Sequence, residues 1–182
     1  MQQTFYGPIA QSVWEKAAKV KLLICDVDGV FSDGRIYLGN QGEELKAFHT
    51  RDGYGIKSLL SVGVQVAVIT GRQSHIVEQR MSALGVEHIY QGVDDKLMPF
   101  NELLAKLDVS ADEVAYIGDD VVDLPVMQHV GLSVCVADGH PYVKQQATWV
   151  TNTHGGHGAV RELTDLLLLS QDKFQLSHGM SV

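Results

Sequence analysis

VKLLICDVDG, residues 20–29, is an apolar run that stops at two carboxylates one residue apart. A short apolar run ending in acids and glycine predicts a buried parallel strand, and open α/β sheets place their sites at the carboxyl ends of such strands. Alternate residues of a strand face the same way, so Asp26 and Asp28 are aimed toward one pocket. That arrangement suits a nucleophile paired with a proton-transfer partner. At a reference pKa of roughly 3.9, Asp26 is ionised at neutral pH and needs no separate base. Asp28 must hold a proton for part of a cycle, which burial or a neighbouring negative charge would favour. Paired aspartates after a strand also serve as plain helix caps, so the rest of the chain has to decide.

The 182 residues suffice for one domain with a sizeable core, and we expect a single domain over 1–182. Its content is 45% hydrophobic and 20% charged, as in ordinary globular chains. Acidic side chains outnumber basic ones 22 to 14, for a net charge of −8, which argues against a nucleic-acid surface. An anionic ligand would then need local positive charge. No apolar run approaches the roughly 20 residues of a membrane span, so no membrane partner is expected. The start, MQQTFYGPIAQ, has neither the basic nor the apolar region of a signal peptide, and a cytoplasmic location is expected. Cys25 and Cys135 lie in apolar runs and read as buried reduced thiols, with no metal-type spacing.

Along the chain, the apolar spacing Ile9, Val13, Ala17, Val20 predicts a helix over Ile9 to Lys19. After DVDG, short strand-like pieces at Arg35 to Leu38 and Glu44 to Phe48 flank the turn GNQG, predicting a β-hairpin flap over about 33–48. Asp52 reads as the N-cap of a helix ended by Gly63. Further strands are expected at Val64 to Ile69, Val86 to Tyr90, Val114 to Ile117, Leu132 to Val136 and Trp149 to Val150. Helices are expected at Ser74 to Leu84, Lys96 to Leu107, Val121 to His129, Pro141 to Ala147 and Ala159 to Leu169. A polar tail runs from Ser170 to Val182. Alternating strands and helices imply right-handed crossovers and a parallel sheet. The fold class is therefore α/β: a single Rossmann-like, doubly wound parallel sheet with helices on both faces, a small hairpin flap and no cap domain.

Four element ends carry residues suited to phosphate chemistry. Beside Asp26 and Asp28 stands Thr70, whose hydroxyl and following N–H groups can bind phosphoryl oxygens. Lys96 begins a helix, where its charge opposes the dipole and calls for an anionic partner. Asp119 and Asp123 in GDDVVD are four apart and share a face if the turn continues as helix; hard oxygen ligands there suit Mg²⁺. His154 and His157 in HGGHG read as no metal pair, because glycine spacing gives no rigid ligand frame.

The order DVDG, ITGR, Lys96 and GDDVVD resembles the four motifs of the haloacid dehalogenase superfamily of phosphohydrolases, over nearly the whole chain. The resemblance implies that Asp26 is the nucleophile that becomes aspartyl-phosphate and that Asp28 is the acid/base. It further implies that Thr70 and Lys96 hold the phosphoryl group. Asp119 would ligate Mg²⁺ with the Asp26 carboxylate and the Asp28 carbonyl, and Asp123 would be a supporting acid.

Neither gap between motifs is long enough for a cap domain. The run DVDGVFSDGRIYLGNQGEELKAFHTRDGYGIKSLL, with ITGR and GDDVVDLPVM, more closely resembles the capless sugar-acid phosphatases, the 3-deoxy-D-manno-octulosonate 8-phosphate phosphatase family of lipopolysaccharide synthesis. That likeness implies a homotetramer in which the tail reaches a neighbouring site, and a substrate bearing both carboxylate and phosphate. It supports His49, Thr50, Arg51, Asp52 and Gly53 as substrate-facing. Lys57, Arg72 and Arg80 are further candidate cations, the two arginines eight residues apart on one expected helix. The alternatives are a phosphatase for a related nonulosonate phosphate, a broader sugar phosphatase, a phospho-acceptor signalling receiver and an inactive regulatory homologue. A receiver carries its acceptor on a middle strand in sequence, whereas here the DxD is on the first.

Overall fold

The computed structural model of the chain describes residues 1–179. Six strands form one parallel sheet: β3 (Leu22–Cys25), β6 (Gln65–Ile69), β7 (His88–Tyr90), β8 (Val114–Gly118), β9 (Leu132–Cys135) and β10 (Trp149–Val150). Two antiparallel hairpins lie outside it, β1 (Gln2–Thr4) with β2 (Gly7–Ile9), and β4 (Tyr37–Leu38) with β5 (Glu44–Leu45). The helices are α1 (Gln11–Ala17), α2 (Thr50–Ser61), α3 (His75–Ala83), α4 (Leu97–Leu107), α5 (Leu124–Met127), α6 (Pro141–Gln146) and α7 (Ala159–Ser170).

Every residue of β3 is buried, as a strand covered on both faces must be. Alternation divides its side chains between two cores. Leu23 and Cys25 join Val66, Val68, Ala115 and Ile117 beneath α1, α2, α3 and α7. Leu22 and Ile24 join Ala67, Ile69, Val114 and Tyr116 beneath α4, α5 and α6. The sheet is thus covered by helices on both sides.

The strand order is β10-β9-β8-β3-β6-β7. From β3 the chain winds outward through β6 to β7, then returns to the other side of β3 for β8, β9 and β10. Two windings in opposite directions leave a crevice beyond the carboxyl ends of β3 and β8, where open sheets bind ligands. Asp26 directly follows β3 and Asp119 directly follows β8.

Four expectations are corrected. Ile9 does not begin a helix: it closes the N-terminal hairpin, whose turn uses Gly7 at φ 114° and a Thr4 hydroxyl donating to the Gly7 carbonyl, and α1 starts only at Gln11. Asp52 is not the N-cap of α2. His49 caps it through Nδ1, which accepts from the Arg51 N–H at 3.1 Å, and Asp52 lies inside the first turn. Arg72 and Arg80 do not share a helix, because α3 begins at His75 and Arg72 stays in the loop before it. The helix expected over Val121 to His129 is a 3₁₀ turn, Val121–Asp123, followed by the single turn of α5.

The tail is held against its own chain over residues 171–179. The Gln171 side-chain amide donates to the Ala17 and Val20 carbonyls at 3.3 and 2.8 Å, the Phe174 ring packs on Phe5, and the His178 N–H donates to Ser61 Oγ at 3.2 Å. The last part of the expected tail, 180–182, lies outside the described residues.

Candidate active site

A cleft of about 450 Å³ opens at the crevice, lined by Asp26, Asp28, Gly34, Thr70, Gly71, Arg72, Val93, Asp94, Lys96, Asp119, Asp120 and Val122. Four chain segments far apart in sequence therefore meet there, and they carry all four motifs. Asp26, at the end of β3, is 6% exposed, and Lys96, at the start of α4, is 5% exposed. Lys96 Nζ stands 3.0 Å from Asp26 Oδ1 and 2.8 Å from Asp123 Oδ1. These contacts answer the misplaced charge noted in the sequence: two carboxylates, not the helix dipole, fix this lysine.

Asp123 is completely buried and fully engaged. One oxygen accepts from Lys96 and from the Tyr116 hydroxyl at 2.6 Å; the other accepts from the N–H groups of Asp119 and Asp120 at 3.0 and 3.1 Å. It therefore braces the acidic turn and Lys96 rather than facing the cleft. Sequence reasoning missed Tyr116, which sits within an apolar strand where alternation sends it to the core.

Asp26, Asp119 and Asp123 each offer a carboxylate oxygen, all within 4.8 Å of one another. Such crowding of anions is costly in a low-dielectric pocket. Burial, reinforced by Asp123 and opposed by Lys96, pushes the Asp26 carboxyl up to about 6. Burial, then Asp26 and Asp123, pushes Asp119 up to about 8. Burial would lower Lys96, but the charges of Asp26 and Asp123 hold its ammonium above the usual lysine range. Oxygen donors with more negative charge than one lysine neutralises fit a hard divalent cation such as Mg²⁺. Since Asp123 is already committed to four donors, Asp26 and Asp119 are the carboxylates available to hold one.

Backbone room protects this arrangement. Gly29, at φ 86°, lies so close to Asp119 that an added Cβ would overlap its carboxylate. The first two glycines of HGGHG do more than turn the chain into α7. Gly156 N–H donates to the Val30 carbonyl at 2.9 Å and Gly155 N–H to Asp138 at 2.9 Å, while a Cβ on Gly155 would strike the Gly29 carbonyl. They close against the loop that follows the DxD. His154 and His157 join no metal-type cluster among the described residues; His157 Nδ1 pairs with the Gly155 carbonyl at 2.8 Å.

Thr70 is buried, with its N–H bonded to the Tyr90 carbonyl, at the mouth of the same cleft. Arg72 reaches Asp28, Nε to Oδ2 at 3.9 Å, and Glu44, at 3.3 Å. Lys46, from the end of the hairpin, is ion-paired to Asp28 and was not anticipated. The remaining expected residues do not line this cleft. His49, Thr50 and Arg51 form the start of α2, and Lys57 lines a separate groove with Leu60, Leu84 and Glu87. Asp52 is 1% exposed and caps α7 from the side, accepting from the Arg161 N–H at 2.8 Å. Burial pushes its carboxyl up to about 7. Arg80 lies beside Gly53 and Asp52.

Comparison with known proteins agrees with this geometry. Residues 88–163 match the haloacid dehalogenase-like hydrolase family. The chain is 56% identical over 179 residues to the 3-deoxy-D-manno-octulosonate 8-phosphate phosphatase KdsC of Yersinia pestis, covering 98% of this chain and 96% of that one. A crystal structure of the phosphatase of that name from Yersinia pestis superposes with a TM-score of 0.98 at 56% identity, covering 100% and 98% of the two chains. The corresponding phosphatase of Moraxella catarrhalis, solved with a magnesium ion, a phosphate ion and a KDO molecule, gives a TM-score of 0.90 at 39% identity, covering 92% and 97%. With four motifs gathered at one crevice and identity sustained from end to end, the chain belongs to the haloacid dehalogenase-like hydrolases and, within them, to the KdsC family.

Proposed function

We propose that the protein is a Mg²⁺-dependent phosphatase that hydrolyses 3-deoxy-D-manno-octulosonate 8-phosphate to the free sugar acid and inorganic phosphate, in lipopolysaccharide biosynthesis. The observation that carries this reading is the gathering of buried Asp26 and Lys96 with half-buried Asp119 at the crevice, in a chain with KdsC identity across its length. Asp26 attacks phosphorus; the bond to the sugar oxygen breaks, and Asp28 gives that oxygen its proton. Asp28 then takes a proton from water, whose oxygen attacks the aspartyl-phosphate, frees phosphate and restores Asp26. Thr70 and Lys96 hold phosphoryl oxygens, Lys96 being locked by Asp123. Mg²⁺, held by the Asp26 and Asp119 carboxylates with the Asp28 carbonyl, supplies the positive charge that lets an anionic nucleophile approach a phosphate dianion.

The open cleft leaves little to exclude water or to read a sugar acid, and besides the phosphoryl-holding Lys96, Arg72 is the one expected substrate cation lining it among the described residues. We therefore assign His49, Thr50, Arg51, Lys57 and Arg80 to a neighbouring copy's site in a homotetramer, with the buried Asp52 and Gly53 supporting that turn, and the C-terminal tail reaching across. The chain is one domain, and a cytoplasmic location fits two free buried thiols and the absence, among the described residues, of any helix long and apolar enough to cross a membrane.

The test is kcat/KM across a panel of sugar-acid phosphates with Mg²⁺. A maximum at the octulosonate 8-phosphate is expected; a flat profile refutes the named substrate, and no phosphate release refutes the activity. Light scattering at the working concentration tests the tetramer, and a monomer that turns over at full rate refutes the shared site.

A further inference from the structure

We propose that Lys46 is a positioning residue for Asp28, delivered into the active site by the hairpin. The inference rests on the phosphatase reading above and deepens it.

The β4–β5 hairpin has two residues per strand, and Tyr37, Leu38 and Leu45 are exposed. A two-stranded hairpin this short is marginal by itself, so something must fix its place over the cleft. The hairpin's base supplies it. The Lys46 side chain has no solvent exposure, and its ammonium pairs with Asp28 Oδ1 and lies 3.6 Å from Glu44 Oε1. Arg72 closes the circuit, 3.3 Å from Glu44 and 3.9 Å from Asp28. Asp28, Lys46, Glu44 and Arg72 thus alternate in sign around a ring that joins three segments: the DxD loop, the hairpin and the loop after β6.

An exposed lysine opposite an exposed acid contributes little and is mobile. A wholly enclosed lysine is different, because leaving its partner would strand an unpaired charge away from water. Lys46 is enclosed while Asp28 keeps partial exposure toward the cleft. The carboxylate is therefore clamped at one oxygen, while the other, held only by the long Arg72 contact, can serve the reaction. Lys96 cannot do this, since Asp26 and Asp123 occupy it. Without Lys46, Asp28 keeps only the long Arg72 contact and samples rotamers that point away from the leaving oxygen. Proton transfer demands hydrogen-bond reach, so loss of orientation lowers the rate of the step rather than the affinity for substrate.

The experiment is Lys46→Met in the intact protein, assayed with Mg²⁺ on the sugar-acid phosphate and on p-nitrophenyl phosphate. The p-nitrophenolate leaving group needs no proton. On the sugar-acid phosphate, kcat should fall on the order of 10²-fold with KM changed little, since acid–base catalysis contributes about 10²–10⁴. The rapid release of p-nitrophenolate in the first turnover should fall only a few-fold, while later turnovers slow and acid-quenched phosphoenzyme accumulates. Lys46→Ala should regain rate with added ethylammonium. Equal first-turnover losses on both substrates without rescue would mean a strut and overturn the proposal, as would a raised KM at unchanged kcat. If the unaltered protein releases no phosphate, the phosphatase reading itself falls, which the variant's behaviour alone cannot mimic.

Discussion

Asp123→Asn isolates the brace beneath the site. The substitution preserves shape but turns one oxygen into an amide donor. Asp123 accepts from four donors, two at each oxygen, in a position with no solvent exposure. Whichever way the asparagine turns, its NH₂ faces two donors. Either the Asp119 and Asp120 N–H groups lose their acceptor, or Lys96 and the Tyr116 hydroxyl do. A buried donor left without a partner costs about 1–3 kcal/mol. Removing one member of a buried ion pair costs about 3–5 kcal/mol, and Lys96 keeps Asp26 at 3.0 Å, which places the expected loss near the lower end, about 3 kcal/mol. That is a large share of the roughly 5–15 kcal/mol that holds a domain together. Urea denaturation at one fixed protein concentration measures it, with Tyr116→Phe as a milder companion expected to lose about 1–2 kcal/mol through one charge-assisted hydrogen bond. A loss below about 1 kcal/mol for Asp123→Asn, or a larger loss for Tyr116→Phe, would refute the claim that this carboxylate is the hub of the network.

Four further outcomes are expected. Asp26→Asn should abolish turnover while far-ultraviolet circular dichroism stays unchanged, because Lys96 keeps Asp123 as its counter-charge; retained turnover would remove the nucleophile. Gly29→Ala should eliminate Mg²⁺-dependent phosphate release, since its methyl overlaps the Asp119 carboxylate at a positive φ, and calorimetric titration should show weakened Mg²⁺ binding. Asp52 has a folded-state pKa raised from 3.8 to about 7, so the folded state holds the proton that the unfolded state has released and stability falls as pH rises through that window; Asp52→Asn should flatten this slope and stabilise the protein above pH 7 by at most about 4 kcal/mol, read from denaturation curves at several pH values. Deleting the tail beyond Ser177 should lower kcat/KM without dissociating the proposed tetramer, measured by light scattering with parallel kinetics.

Beyond the N-terminal hairpin, which was missed, the order of strands and helices was legible in the chain because hydrophobic periodicity is a local property: buried strands such as Leu22–Cys25 announce themselves by composition and by the acids that end them. That Asp26, Asp28, Thr70, Lys96 and Asp119 stand at element ends was legible for the same reason, and those ends meet in one cleft. Spatial partnership was not, since it depends on strand order and on side-chain direction across long separations. β3 between β6 and β8 is what sets Asp26 beside Asp119. Alternation turned Tyr116 inward to meet Asp123, a hairpin carried Lys46 back to Asp28, and Asp52, which reads locally as the cap of its own helix, caps one 109 residues further along the chain. Sequence settles what each segment prefers to be and which reactive groups it ends on; only packing decides which charges are shut away from water together, and so which of them can act.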